Sequence, residues 1–174
     1  MYYGNIKKYD IANGPGVRTS LFVSGCRHHC KGCFNAATWS FTYGQPYTPA
    51  VEEEILKSME PDYVTGFTAL GGEPFEPENQ RELVKLFHRI RERYPKKSLW
   101  CYSGYTLETD LAPGGKAYTE VTEEMLACID VLVDGEFVEE EKDLTLRFRG
   151  SRNQRLICLP ETLRQGKIVL WDGK

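Results

Sequence analysis

Gly66-Phe67-Thr68-Ala69-Leu70, the turn Gly71-Gly72-Glu73-Pro74, the periodic run from Pro77 to Tyr94, then Pro95 and Ser98-Leu99-Trp100-Cys101-Tyr102-Ser103 together decide the fold class. The first and last pieces are short, apolar and rich in strand formers. Between them, Leu83, Leu86, Phe87, Ile90 and Tyr94 recur at three- and four-residue spacing, which puts them on one helical face with Arg, Lys and Glu opposite. Pro95 cannot continue a helix and ends this one. Two strands joined through a helix of this length must lie parallel, with a right-handed crossover, so the unit is βαβ.

Working outward, similar strand-like runs occupy residues 19–24, 131–134, 145–149 and 167–171. A second helix is predicted to start at Pro49, with Glu52, Glu53 and Glu54 in the favourable first turn and Ile55 and Met59 as its apolar stripe, and to stop before Pro61. A third is predicted over 121–128, where Val121, Met125 and Leu126 fall together. Alternating strands and helices define an α/β domain with helices outside a parallel sheet and a site at the carboxyl ends of the strands. A closed eight-unit barrel takes about 250 residues, and each βαβ unit roughly 30 or more. A chain of 174 residues has room for five or six units, so a barrel built from them stays open on one side. No repeat, low-complexity tract or domain boundary interrupts residues 1–174, which read as a single domain. The charge run Glu139-Glu140-Glu141-Lys142-Asp143 reads as a solvated connection.

Composition narrows the function. Hydrophobic residues make up 41% and the formal net charge is −3, values of an ordinary soluble domain that lacks the basic field of a non-specific nucleic-acid binder. The residues at Met1–Lys8 carry no signal-peptide core, and no run approaches 18 apolar residues, so a cytoplasmic protein with no membrane partner is expected. Six cysteines are too sparse for a secreted disulfide scaffold, and a chain this long does not need one.

Three of those cysteines stand within eight residues, Cys26-Arg27-His28-His29-Cys30-Lys31-Gly32-Cys33, directly after the strand at 19–24. Thiolates so spaced hold zinc or an iron-sulfur cluster, because both reward several sulfurs on one centre. Structural zinc takes four ligands and usually shows a second paired cluster, which is missing here; three sulfurs leave a cubane with one iron open to a substrate or cofactor. A Cys3His zinc site with His28 or His29 as fourth ligand remains the alternative, and otherwise the two histidines are exposed loop residues. Cys101, Cys128 and Cys158 read as small buried hydrophobes.

The C-x3-C-x2-C arrangement after the first strand resembles the radical S-adenosylmethionine superfamily. Asn13-Gly14-Pro15-Gly16-Val17-Arg18 is similar to the segment before the cluster in glycyl-radical activating enzymes, and Gly71-Gly72-Glu73-Pro74 resembles the superfamily's second signature. Tyr102-Ser103-Gly104-Tyr105-Thr106, Val131-Leu132-Val133-Asp134-Gly135-Glu136-Phe137 and Arg149-Gly150-Ser151-Arg152-Asn153-Gln154-Arg155 resemble segments of the activating proteins of anaerobic ribonucleoside-triphosphate reductases. Two positions depart from the pattern. Gly32 stands before the third cysteine, where many superfamily members have an aromatic, and Phe34 follows it; Arg152 replaces a smaller polar residue.

The resemblance implies a partial, laterally open (β/α)6-like barrel carrying a 4Fe-4S cluster on Cys26, Cys30 and Cys33. S-adenosylmethionine would sit on the open iron. The turn Gly71-Gly72-Glu73 would take its methionyl ammonium, and Gly32, Cys33, Phe34, Ser103, Asp134, Glu136, Phe137 and Val138 would supply further contacts. The chemistry would be carried by the cofactor, with no side-chain acid or base: one electron, from a donor such as flavodoxin, would cleave the sulfonium. The resulting 5′-deoxyadenosyl radical would take hydrogen from a glycine of the large subunit of an anaerobic reductase. A short chain with no substrate domain suits a protein substrate. Two other readings stay open, a small-molecule enzyme like the deazapurine enzyme 7-carboxy-7-deazaguanine synthase and a zinc-stabilised interaction domain. Pyruvate formate-lyase activation fits less well, since those activases are longer.

Overall fold

The computed structural model describes residues 1–173. One seven-stranded mixed sheet forms the frame, in the order β3-β1-β2-β4-β5-β6-β7. Its strands are β1 (Tyr2–Asp10), β2 (Val17–Val23), β3 (Gln45–Pro46), β4 (Val64–Gly71), β5 (Ser98–Tyr102), β6 (Val131–Asp134) and β7 (Arg155–Cys158). The helices are α1 (Pro49–Ser58), α2 (Pro77–Arg93), α3 (Thr122–Ala127) and α4 (Leu159–Gln165). β2, β4, β5 and β6 run parallel, each joined to the next through α1, α2 or α3, while β1 and β7 pair antiparallel at either side.

Alternation along the strands sorts the two faces of the sheet. Leu21, Val23, Phe67, Ala69, Leu99, Cys101 and Leu132 join Ile55, Leu56 and Met59 of the α1 region, Leu83, Leu86, Phe87 and Ile90 of α2, and Met125 and Leu126 of α3 in one fully buried core. The helices therefore cover one face. The intervening residues point the other way, where Trp100, Val131 and Val133 form a smaller cluster with Phe148 and Trp171. The helix-free face is where a cavity can open.

Helix ends follow local chemistry. Thr48 accepts from the Val51 amide at 3.3 Å ahead of Pro49, and Arg91 and Arg93 lie in the last turn of α2, where the helix dipole favours cations. The βαβ unit and all three expected helices are present, and the α/β class and open sheet stand. Three expectations need correction. The parallel core has four strands rather than six, and the sheet ends at β3 and β7 without closing. Residues 145–149 are not a strand: Asp143 Oδ1 accepts from both the amide and the hydroxyl of Thr145, making a turn, and Phe148 takes φ +61° to reach the Trp100 ring at 5.3 Å. Residues 167–171 are not a strand either, but they do line the outer side of β7 through Cys158 N to Val169 O at 2.9 Å and Trp171 N to Leu156 O at 2.8 Å. That partial cover blunts the sheet edge. Cys101 is fully buried and Cys128 nearly so, as expected, while Cys158 is only half-buried. No helix among the described residues is long and apolar enough to cross a membrane.

Candidate metal centre and cofactor cavity

β2 delivers the chain into the cysteine loop at Ser24-Gly25-Cys26. Gly25 has φ +98°, and the ring of Phe41 lies 2.4 Å from where a Cβ would be, so only glycine fits the bend. The loop is anchored by main-chain bonds from Gly25 N to Thr38 O at 2.7 Å, Cys26 N to Trp39 O at 3.2 Å and Glu73 N to Gly25 O at 2.8 Å. Cys33 N donates to Cys30 O at 3.2 Å, closing a tight turn through Gly32 at φ +73°. Two neighbouring loop residues reach the turn after β4. The Arg27 amide donates to Glu76 Oε1 at 2.8 Å and its guanidinium pairs with Glu76 and Glu78, while His28 Nε2 lies 3.0 Å from Glu73 Oε2.

A cavity of about 560 Å³ opens between these loops and the helix-free face. Its size is that of a drug-sized ligand site. Cys26, Cys30 and Cys33 line it together with Phe34, Gly71, Gly72, Glu73, Ser103 and Phe137, so nine of the residues singled out from sequence converge there. Gly32, Asp134, Glu136 and Val138 do not line it. Gly32 faces Glu139, whose Oε1 lies 2.7 Å from a would-be Cβ. Asp134 is 1% exposed, receives the Leu107 amide at 3.0 Å and pairs with Arg155. Glu136 accepts from Cys30 Sγ at 3.5 Å, and the Val138 amide donates to Ser151 Oγ at 3.2 Å, which holds the segment after β6 over the loop.

Sequence reasoning missed several walls of the cavity: Lys7 of β1, Ala12 after it, Phe22 of β2, and Asn35 and Trp39 after the cysteines; Tyr102, Gly150 and Gln154 stood within quoted motifs but were not assigned as contacts. Only the alternation that puts Phe22 and Tyr102 on the helix-free face could have signalled them. His28 is also misjudged as exposed. Its side chain is 7% exposed, with its ring centroid 4.3 Å from that of Tyr105.

Two of the thiols, Cys26 and Cys30, are held protonated in the absence of metal. Burial, with lesser contributions from nearby charges, pushes Cys26 up to about 12, and burial followed by Glu136 pushes Cys30 up to about 11. Loading a metal centre here must release these protons. Among the described residues no three His, Cys, Asp or Glu groups converge tightly enough for a single ion. His28 is engaged by Glu73, and His29 packs its ring against Trp39 at 4.6 Å. Neither joins the thiols in a group tight enough for one ion, whereas thiols spread around one cavity suit a cubane, whose ligands sit on different irons.

The glycines after β4 leave room where side chains would collide. A Cβ on Gly71, at φ +109°, would lie 2.8 Å from the Phe22 backbone, and one on Gly72 would lie 2.6 Å from Gly25 O. Gly71→Ala is expected to cost on the order of 2 kcal/mol through left-handed strain and this backbone contact. That corresponds to a fall of roughly 4 to 8 °C in the melting temperature, and an unchanged melt would show that the turn relaxes freely.

Residues 12–157 match the family model described as a 4Fe-4S single cluster domain. The chain is 42% identical over 156 residues to the anaerobic ribonucleoside-triphosphate reductase-activating protein of Escherichia coli (strain K12), covering 88% of this chain and 96% of that protein. The protein of the same name from Vibrio cholerae is 40% identical over the same shares. That of Enterobacteria phage T4 is 37% identical over 159 residues, 90% of this chain and 93% of the relative.

Proposed function

This chain belongs to the 4Fe-4S single cluster domain family and to that of the anaerobic ribonucleoside-triphosphate reductase-activating proteins, and on that premise we propose that it activates such a reductase by generating a glycyl radical on it. The observation that carries the reading is the shared cavity: three cysteines and the Gly71-Gly72 turn, distant in sequence, line one space of about 560 Å³. The residues fit the proposed groups. Soft thiols are the ligands an iron-sulfur cluster takes, and the side-chain-free turn beside them admits a ligand close to the main chain.

A reduced cluster held by Cys26, Cys30 and Cys33 would supply one electron for cleavage of S-adenosylmethionine to methionine and a 5′-deoxyadenosyl radical, which would take hydrogen from a glycine of the partner. The protein's share is ligation, placement and exclusion of competing hydrogen donors. Cys26, Cys30 and Cys33 hold the cluster. The Gly71-Gly72 turn, held by Gly72 N to Val23 O at 2.8 Å, would take the methionyl end of the ligand. Ser103, Phe34 and Phe137 bound the remaining space, with the phenyl rings 6.0 Å apart at centroids. Gly32, Asp134, Glu136 and Val138 act from behind, by shaping the loops that carry these contacts. No side-chain acid or base is needed. Residues 1–174 work as one unit in a reducing cytoplasm, served by a donor such as flavodoxin, without nucleic acid or membrane.

The decisive experiment adds dithionite and S-adenosylmethionine to anaerobically reconstituted protein together with the reductase. A glycyl doublet in the electron paramagnetic resonance spectrum is the expected result. About one zinc per chain without visible absorbance would overturn the reading in favour of a structural zinc domain, and S-adenosylmethionine-dependent turnover of a small molecule with no protein partner would move it to another radical enzyme.

A further inference from the structure

The cysteine loop and the turn after β4 come from separate parts of the chain, and one side chain of the cavity wall joins both to a third element. His28 Nε2 lies 3.0 Å from Glu73 Oε2, which also accepts the Gly104 amide at 2.7 Å. The other oxygen, Oε1, accepts the Phe75 amide and the Ser103 hydroxyl, each at 2.9 Å. A carboxylate offers about four lone-pair sites, and all four are taken by these donors. Glu73 is 1% exposed, so water does not compete.

The imidazole is held by several neighbours. Tyr105 packs against it at 4.3 Å, Glu136 Oε2 lies 3.8 Å from Nδ1, and a Cβ on Gly104 would meet Nε2 at 2.7 Å. Glycine at 104 thus makes room for this ring. We propose that His28 is a positioning residue for the cofactor: by holding Glu73 it locks the cysteine loop, the Gly71–Glu73 turn and the Ser103–Gly104 strand end in one register, so that cluster ligands and methionine-binding turn face the same ligand at a set separation. This rests on the activase reading of the cavity. The role assigned to His28 lies in where the turn stands relative to the thiols, not in contact with a reacting group.

The test compares wild type, His28→Ala and His28→Gln, each loaded with iron and sulfide anaerobically. Iron content is measured first. S-adenosylmethionine is then titrated against the signal of the reduced cluster. Removing a partner that orients ligands typically costs 10- to 100-fold in affinity or activity. His28→Ala is therefore expected to keep wild-type iron but to bind S-adenosylmethionine about 10- to 100-fold more weakly. His28→Gln keeps an N–H able to reach Glu73 and is expected to recover most of that affinity.

Binding by the alanine variant within twofold of wild type would overturn the proposal. So would a glutamine variant as weak as alanine, since the hydrogen bond to Glu73 would then not be the cause. Loss of iron in His28→Ala would also overturn it, by placing the role at the cluster. A wild-type protein that takes up no cluster, or whose signal ignores S-adenosylmethionine, would instead sink the activase reading itself.

Discussion

Arg18→Met is expected to destabilise the protein by about 3 to 5 kcal/mol, because several buried neutral acceptors lose their donor together at about 1 to 3 kcal/mol each. Arg18 is 0% exposed on β2, facing the side of the sheet without helices. Its Nε donates to Thr68 Oγ1 at 2.7 Å. One terminal nitrogen reaches Ser98 Oγ at 2.8 Å and Pro15 O at 3.2 Å, and the other reaches Phe67 O at 2.7 Å and Ser98 O at 2.9 Å. The guanidinium lies over Trp100 at 5.6 Å. Among the described residues no carboxylate pairs with it, so neutral acceptors and a ring face must replace water. Burial pulls its pKa down to about 10, which still leaves it charged at neutral pH.

Methionine fills much of the volume but strands a group of buried acceptors at once, each costing about 1 to 3 kcal/mol unless water enters. Lysine keeps the charge without the planar fork, and is expected to fall between wild type and methionine. Gly14 and Gly66 supply the space, since a Cβ at either would meet the guanidinium or its stem within 2.8 Å. Urea unfolding followed by tryptophan fluorescence reads the effect, with a midpoint lowered by on the order of 2 M for methionine at an unchanged slope. A midpoint within a few tenths of a molar of wild type would show that the network contributes little.

Arg18 also marks where sequence reading ran out. Long-range partners such as Ser98 and Thr68 are set by strand register, which no local pattern reveals. The helices were legible because their apolar stripes, prolines and caps all lie within a few residues. The parallel strands were legible because both faces are buried, which leaves continuous apolar runs. β1 was not: Tyr2–Asp10 is mostly polar because it sits near the sheet edge, and only pairings such as Ile6 with Leu21 make it a strand. Residues 145–149 failed in the opposite direction, since a suitable composition met a turn-forming Asp143 and no neighbouring strand. At the site, glycine turns and cysteine spacing carried their own signal. Walls such as Trp39 and Asn35 carried none, because they are brought to the cavity by a loop whose course depends on the whole sheet.

Cys30→Ala is expected to lose the four-iron cluster and, with it, the glycyl doublet down to background. The three thiols are equivalent in sequence spacing but not in surroundings. Cys26 is buried at the end of β2 and Cys33 Sγ accepts the Asn35 amide at 3.4 Å, whereas Cys30 faces Glu136 across 3.5 Å. On the proposed ligation, metal would have to displace the Cys30 proton against both burial and this carboxylate, with the binding energy shared among three sulfurs. With two sulfurs left, too few soft ligands remain to hold a cubane. Alanine at Cys158, outside the cavity and half-buried at the start of α4, is the matched control and should keep both iron and radical formation. Iron analysis and paramagnetic resonance on the same samples separate the outcomes. Full iron and an undiminished doublet in Cys30→Ala would show that this thiol is not a ligand, and a Cys158→Ala variant stripped of iron would show that the cluster lies elsewhere.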